Sequence, residues 1–214
     1  MLKARIITAV ALAALTFAAP AAWAVDTSRA ELEELQRRVD LDPKSPDAHF
    51  DLAMGLARTV KLESGYASLK KVIELDPTYA DKVIAKYKPL VDQNKQNVEA
   101  FFRLAFGYYF KGWNLQQTDP NSVEGAQSKA LARQAFEAII THDPKYVWGY
   151  NYLGYLIAEG GDLDKAIEHW RQAITVEDNA VAHFLIGQAY MRQGKMAEGV
   201  METATAMRMR GLNP

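Results

Sequence analysis

Val147 to Ala180 reads VWGYNYLGYLIAEGGDLDKAIEHWRQAITVEDNA, and its spacing decides the fold. Large and small apolar residues return every third or fourth position through Tyr150, Leu153, Gly154 and Ile157, which is the period of one helix face. Glu159-Gly160-Gly161-Asp162 then makes a turn, and Ala166, Trp170 and Ala173 set up a second helix. The small residues Gly154, Ala166 and Ala173 let two helix backbones approach closely, and Tyr150, Leu153 and Trp170 fill the space alongside. Each large side chain buried in this way contributes roughly 1.5–3 kcal/mol.

The pattern extends in both directions with a fixed period. Asp42-Pro43 recurs 34 residues later as Asp76-Pro77, and His142-Asp143-Pro144 recurs in weakened form as Val176-Glu177-Asp178 at the same interval. Proline belongs just past a helix end, because it cannot continue the backbone hydrogen-bond ladder. Three further units align to the first. Pro46 to Tyr79 carries His49, Leu52, Ala53 and Leu56, then Gly65, Leu69 and Val72. Val98 onward carries Phe101, Leu104, Ala105 and Tyr108, then Ala132, Phe136 and Ile139. Ala180 onward carries His183, Ile186, Gly187 and Tyr190, a turn at Gln193-Gly194-Lys195, then Gly199, Thr203 and Ala206.

A helix-turn-helix unit of this period with these sites resembles the tetratricopeptide repeat (TPR) family over nearly all of residues 46–211. The resemblance implies an all-α fold, a TPR-like right-handed superhelix of antiparallel helix pairs, or α-solenoid. Units are expected near 46–79, 98–146, 147–179 and 180–211, behind an N-terminal capping helix within 25–45 that has Leu32, Leu35 and Val39 on one side. Two departures stand out. An extra 18 residues between the first and second units predict one lone amphipathic helix over 79–95, with Pro89 kinking or restarting it. A further 15 residues inside the second unit, around Gly112 to Gln127, read as an inserted loop, because Thr118-Asp119-Pro120-Asn121-Ser122 is a turn signal.

The first 24 residues read as a signal peptide. Lys3 and Arg5 precede an apolar stretch from Ile6 to Ala19, and Ala22 and Ala24 sit where a signal peptidase selects small residues, so cleavage is expected before Val25. The apolar run is short for a span of roughly 20 residues; a retained membrane anchor is the alternative. Without cysteine there is neither a lipidated bacterial N-terminus nor a disulfide staple. The Ala-rich leader points to a bacterial, periplasmic or secreted protein with no integral span after cleavage. Removing two basic residues from a chain of net charge −1 leaves a mildly acidic product, which presents no field for nucleic acid.

Motifs for chemistry are missing from the sequence. There is no Gly-x-Ser-x-Gly elbow, no His-Glu-x-x-His, no acidic calcium loop and no glycine-rich phosphate cradle. No catalytic, metal-binding or cofactor-binding residue is therefore assigned, and no cofactor is expected. His49 and His183 occupy signature sites and read as packing residues, while His142 stands in a helix-ending turn.

Stacked units line a concave wall with the first helix of each pair, and in peptide-binding members of the family that wall is the docking surface. Helical spacing assigns to it Phe50, Met54 and Arg58 from the first unit and Phe102, Phe106, Tyr109 and Phe110 from the second. Trp148, Asn151, Tyr155 and Glu159 follow from the third, and Phe184, Gln188 and Arg192 from the fourth. So many rings on a solvated face would indicate a protein or peptide partner with an apolar or aromatic segment. The competing outcome is burial of the Phe102–Phe110 cluster under the lone helix or the inserted loop. The expected function is a non-catalytic interaction scaffold of the bacterial cell envelope. A self-assembling homo-oligomer built on the Met-rich last helix, or an aromatic-walled carbohydrate binder or enzyme, are the alternatives.

Overall fold

The computed structural model describes residues 28–211, so the leader and its cleavage positions lie outside the described residues. Among those there are ten α-helices and no strand: α1 (Arg29–Leu41), α2 (Pro46–Ala57), α3 (Leu62–Leu75), α4 (Tyr79–Gln93), α5 (Val98–Thr118), α6 (Val123–His142), α7 (Val147–Glu159), α8 (Leu163–Val176), α9 (Ala180–Arg192) and α10 (Met196–Met209).

Aspartate before proline punctuates the chain. Asp42, Asp76, Asp119 and Asp143 end α1, α3, α5 and α6, each with φ between −133° and −152°, outside the helical region that a following proline disfavours. Each carboxylate then accepts the backbone N–H two residues on, from Lys44 at 3.2 Å and from Thr78, Asn121 and Lys145 at 3.0 Å. The next helix starts at once. Ser45, Asn97, Ser122, Asp162 and Asn179 cap α2, α5, α6, α8 and α9 with side-chain oxygens, each cap contributing about 1 kcal/mol.

Within pairs, glycine permits contact that any other residue would obstruct. A Cβ on Gly154 would stand 2.6 Å from Trp170 Nε1, so the indole lies directly against the α7 backbone, where its N–H donates to the Asn151 carbonyl at 3.0 Å. The same logic corrects the inserted loop. Its residues lengthen α5 to 21 and α6 to 20, against 13 and 14 in α7 and α8, and leave only residues 119–122 as a turn. Gly112 and Gly125, which look like loop glycines, face each other across the extended pair: a Cβ on Gly112 would meet the Gly125 carbonyl at 2.7 Å. The lone helix α4 also runs unbroken through Pro89.

The pairs α5/α6, α7/α8 and α9/α10 stack in order, α6 against α7 and α8 against α9. The first pair departs from the series. α3 and α4 are consecutive but hardly touch, whereas α4 packs on α5, with Val83 against Gly107. The cause is parity. A single inserted helix reverses the chain once more before α5, so α2 arrives antiparallel to α5 instead of parallel. Phe50, early in α2, meets Phe110 late in α5 at 6.2 Å, and Arg58 at the end of α2 meets Glu99 at the start of α5 at 3.5 Å. α2–α3 does not extend the stack and lies across the inner wall instead. α1 covers the outer side of α2, setting Leu32, Leu35 and Val39 against Ala48, Leu52 and Leu56.

Candidate functional site

The inner wall exists, but most of it is filled by the chain itself. Phe50, Met54, Phe102, Phe106, Tyr109, Phe110, Trp148 and Asn151 are all buried, each at most 7% exposed. Their assignment to an open surface is corrected: they are core. The main occupant is the first pair, α2–α3, and the lone helix and the inserted segment add Tyr79 against Phe50 and Trp113 against Phe110.

Two polar clusters hold that pair in place. Arg58, following the last turn of α2, lays its guanidinium over Phe102 at 4.4 Å and reaches toward Trp148. It also donates to the Tyr146 hydroxyl at 3.0 Å and pairs with Glu99. Farther along the wall, Tyr66 of α3 extends its hydroxyl to those of Tyr109 on α5, at 2.7 Å, and Tyr155 on α7. Tyr109 donates onward to Glu159 at 3.0 Å, and Lys129 of α6 neutralises that carboxylate, also at 3.0 Å. The chain of hydroxyls therefore ends on a paired anion and joins four helices. Burial raises the phenol pKa of Tyr66, Tyr109 and Tyr155 above the usual tyrosine value, as it does for Tyr146 and Tyr152. Beneath Tyr66 lies an apolar void of about 50 Å³ bounded by Ala53, Phe106, Phe136 and Tyr152.

Asn151 has a structural role. Its amide donates to Asn179 Oδ1 at 3.1 Å, and Asn179 uses the same oxygen to cap α9 through the Ala182 N–H at 2.9 Å. The histidines have polar partners or exposure, and His142 ends α6 as expected. His49 is half-buried with Nε2 3.0 Å from the Pro43 carbonyl oxygen. His183 sits between two carboxylates, 2.8 Å from Asp178 and 2.5 Å from Glu202. His142 is exposed and rests on the Phe101 ring. Among the described residues, no three His, Cys, Asp or Glu side chains are grouped to hold a metal.

Beyond the filled region the wall opens. Tyr155, Phe184, Gln188 and Arg192 are at least partly exposed and line a cleft of about 600 Å³, closed on its other side by Val60 to Ser64, the turn between α2 and α3 and the start of α3. Leu185, Ala189, Ala158 and Leu163 give it an apolar floor. Glu159, the remaining assigned wall residue, is exposed, but its carboxylate is engaged by Tyr109 and Lys129. Sequence spacing missed Lys61, Leu62 and Tyr66, because they sit on or before a second helix. One trace of Tyr66 was there to read: it follows the signature Gly65 as Ile167 follows Ala166, the position that faces a neighbouring unit. No helix among the described residues is long and apolar enough to cross a membrane.

Comparison with known proteins agrees with this architecture. The profile of the family described as TPR repeat matches residues 155–194, the segment that includes the end of α7 and all of α8 and α9. The crystal structure of TTC0263, a thermophilic TPR protein from Thermus thermophilus, superposes with a TM-score of 0.53 at 19% identity, covering 84% of this chain and 81% of that one. A crystal structure of MamA aligns more loosely, with a TM-score of 0.42 at 21% identity over 85% of this chain and 87% of that one. The chain thus carries a matched tetratricopeptide repeat segment inside an all-helical stack that shares its fold with the Thermus protein.

Proposed function

We propose that this protein is a non-catalytic interaction scaffold of the bacterial cell envelope that docks a short segment of a partner protein in the open end of its concave wall. The observation that carries the reading is the cleft of about 600 Å³ where the wall residues Tyr155, Phe184, Gln188 and Arg192 stay open to a ligand. Proteins of this repeat family are typically scaffolds without catalytic activity, which supports the reading, and the placement outside the cytoplasm rests on the leader at residues 1–24. A photo-crosslinking amino acid at Phe184 is expected to capture a partner polypeptide in living cells, and one at Leu131, exposed on α6, is not. Equal capture from both positions, or none from Phe184, removes the docking assignment. Recovery of a chain that still begins at Met1 from the cytoplasmic fraction removes the export assignment.

A second reading has its own observation. In α8 the register Leu163, Ile167 and Ile174 is partly or wholly buried where the next unit packs, and the equivalent residues of α10 are Met196, Val200 and Met207, which are 58%, 58% and 38% exposed. Solenoid ends need polar caps to stay apart, so this bare face favours chain-on-chain association. A constant mass in light scattering over a wide concentration range would rule it out.

A further inference from the structure

The charges around the open cleft specify its partner more closely. We infer that the cleft takes an acidic peptide segment, about one helical turn of apolar side chains bearing a glutamate or aspartate that meets Lys61 and Arg192. This rests on the docking reading above and narrows it.

Size sets the first limit. A helical turn about 10–12 Å across and 5.4 Å high occupies roughly 500 Å³, close to the cleft volume of about 600 Å³. The cleft therefore has room for an anchor of at least three or four residues. Surface chemistry sets the second. Leu62, Leu163, Phe184, Leu185 and Ala189 supply apolar contact, so the anchor is apolar on the side that enters.

Charge supplies the third. The ionisable residues lining the cleft are Lys61, Glu63 and Arg192, two cations and one anion, and none forms an ion pair among the described residues. The neighbouring acid Glu159 is already neutralised by Lys129, so it does not compensate them. Lys61 precedes α3 on one wall and Arg192 ends α9 on the other. A segment entering between them thus passes Lys61, with Glu63 two residues on, along one wall and Arg192 along the other, a net excess of one positive charge. Both cations are exposed, so the attraction is of the screened, surface kind, and it discriminates between partners more than it tightens binding.

The test uses the full chain and three labelled synthetic peptides with one shared Leu/Phe core, flanked by two glutamates, two glutamines or two lysines. Both peptide ends are blocked, so that no terminal carboxylate takes part. Fluorescence anisotropy should give the order glutamate, glutamine, lysine, with roughly a tenfold spread between the extremes, the sum expected of two exposed charge contacts, and the spread should narrow as salt is raised. Lys61→Glu combined with Arg192→Glu should reverse the order while leaving the far-ultraviolet circular dichroism unchanged. Equal binding of all three peptides, weakened alike by Phe184→Ala, overturns the acidic-partner inference and leaves the docking site standing. An order that survives the double charge reversal also overturns it. Failure of every peptide to bind overturns the inference together with the docking reading beneath it.

Discussion

Tyr66 is the most direct probe of the filled wall. Its hydroxyl bridges Tyr109 and Tyr155, the latter 89 residues away in sequence, and its ring lies 5.6 Å from that of Trp113 above a void of about 50 Å³. Tyr66→Phe removes both bridging hydrogen bonds and strands the Tyr155 hydroxyl, for an expected loss of about 1–3 kcal/mol. Tyr66→Ala also enlarges a cavity that is already there, and the expected loss rises to about 3–5 kcal/mol. In a chain of 214 residues each kcal/mol moves the melting temperature by about 2–4 °C. The alanine variant should therefore melt roughly 6–20 °C lower. Urea titrations of wild type, Tyr66→Phe, Tyr155→Phe and the double variant complete a cycle whose coupling energy should reach about 1 kcal/mol. If α2–α3 were not seated on α7, Tyr66 would be a surface residue. Tyr66→Phe would then fall within about 0.5 kcal/mol of wild type with no coupling, and that result would refute the intramolecular packing.

Other consequences follow from the same geometry. Gly154→Ala should destabilise by roughly 1–3 kcal/mol in urea despite the better helix former, because the new Cβ lands 2.6 Å from Trp170 Nε1 and displaces the indole; a gain in stability would contradict the close approach. Asn151→Asp should cost about 2–4 kcal/mol near neutral pH, since a buried carboxylate would face the acceptor Asn179 Oδ1. Burial lifts the folded pKa of the introduced carboxyl above its unfolded value, so the deficit should shrink as pH falls; a pH-independent deficit would show that the site is wet. Tyr66, Tyr109, Tyr146, Tyr152 and Tyr155 all have phenol pKa values raised by burial. Their contribution to stability is complete below the unfolded value near 10 and is lost as pH rises toward the folded values. A phenol that the fold still holds protonated at about pH 11, one unit above the unfolded value, costs roughly 1.4 kcal/mol, so a cluster of several draws on much of the stability of a typical domain, about 5–15 kcal/mol. Helicity and tyrosinate absorbance at 295 nm should therefore change together near that pH, and tyrosinate forming near pH 10 with helicity intact would contradict their burial.

The repeat could be read from residues because its determinants are local. Aspartate before proline, a capping Ser or Asn, and small residues at Gly154, Ala166 and Ala173 each act within a few positions, and the helices formed where those signals stand. The inner wall could not be read in the same way. Assigning Phe102, Phe106, Phe110 and Trp148 to an open surface presumes that all first helices run parallel, and the single helix α4 breaks that presumption. The 18 extra residues were visible, and their length already implied one helix; where the inverted pair lands depends on Arg58 and Tyr66 finding partners up to 89 residues away. The segment from Gly112 to Gln127 misled for a different reason. Glycines mark loops when they relax the backbone, but Gly112 and Gly125 serve the close crossing of two long helices.

A linear array of repeats unfolds piecemeal, since each unit leans only on its neighbours and either end can fray alone. The clasps at Arg58 and Tyr66 tie the beginning of this array to its third unit and turn an open ladder into a ring of contacts. Melting of residues 46–176 should accordingly be all-or-none, with folding slowed by the need to close so long a loop before the clasps can form. Among the described residues, α1, which packs on α2 alone, and the last two helices lie outside the ring and keep the freedom to peel away by themselves.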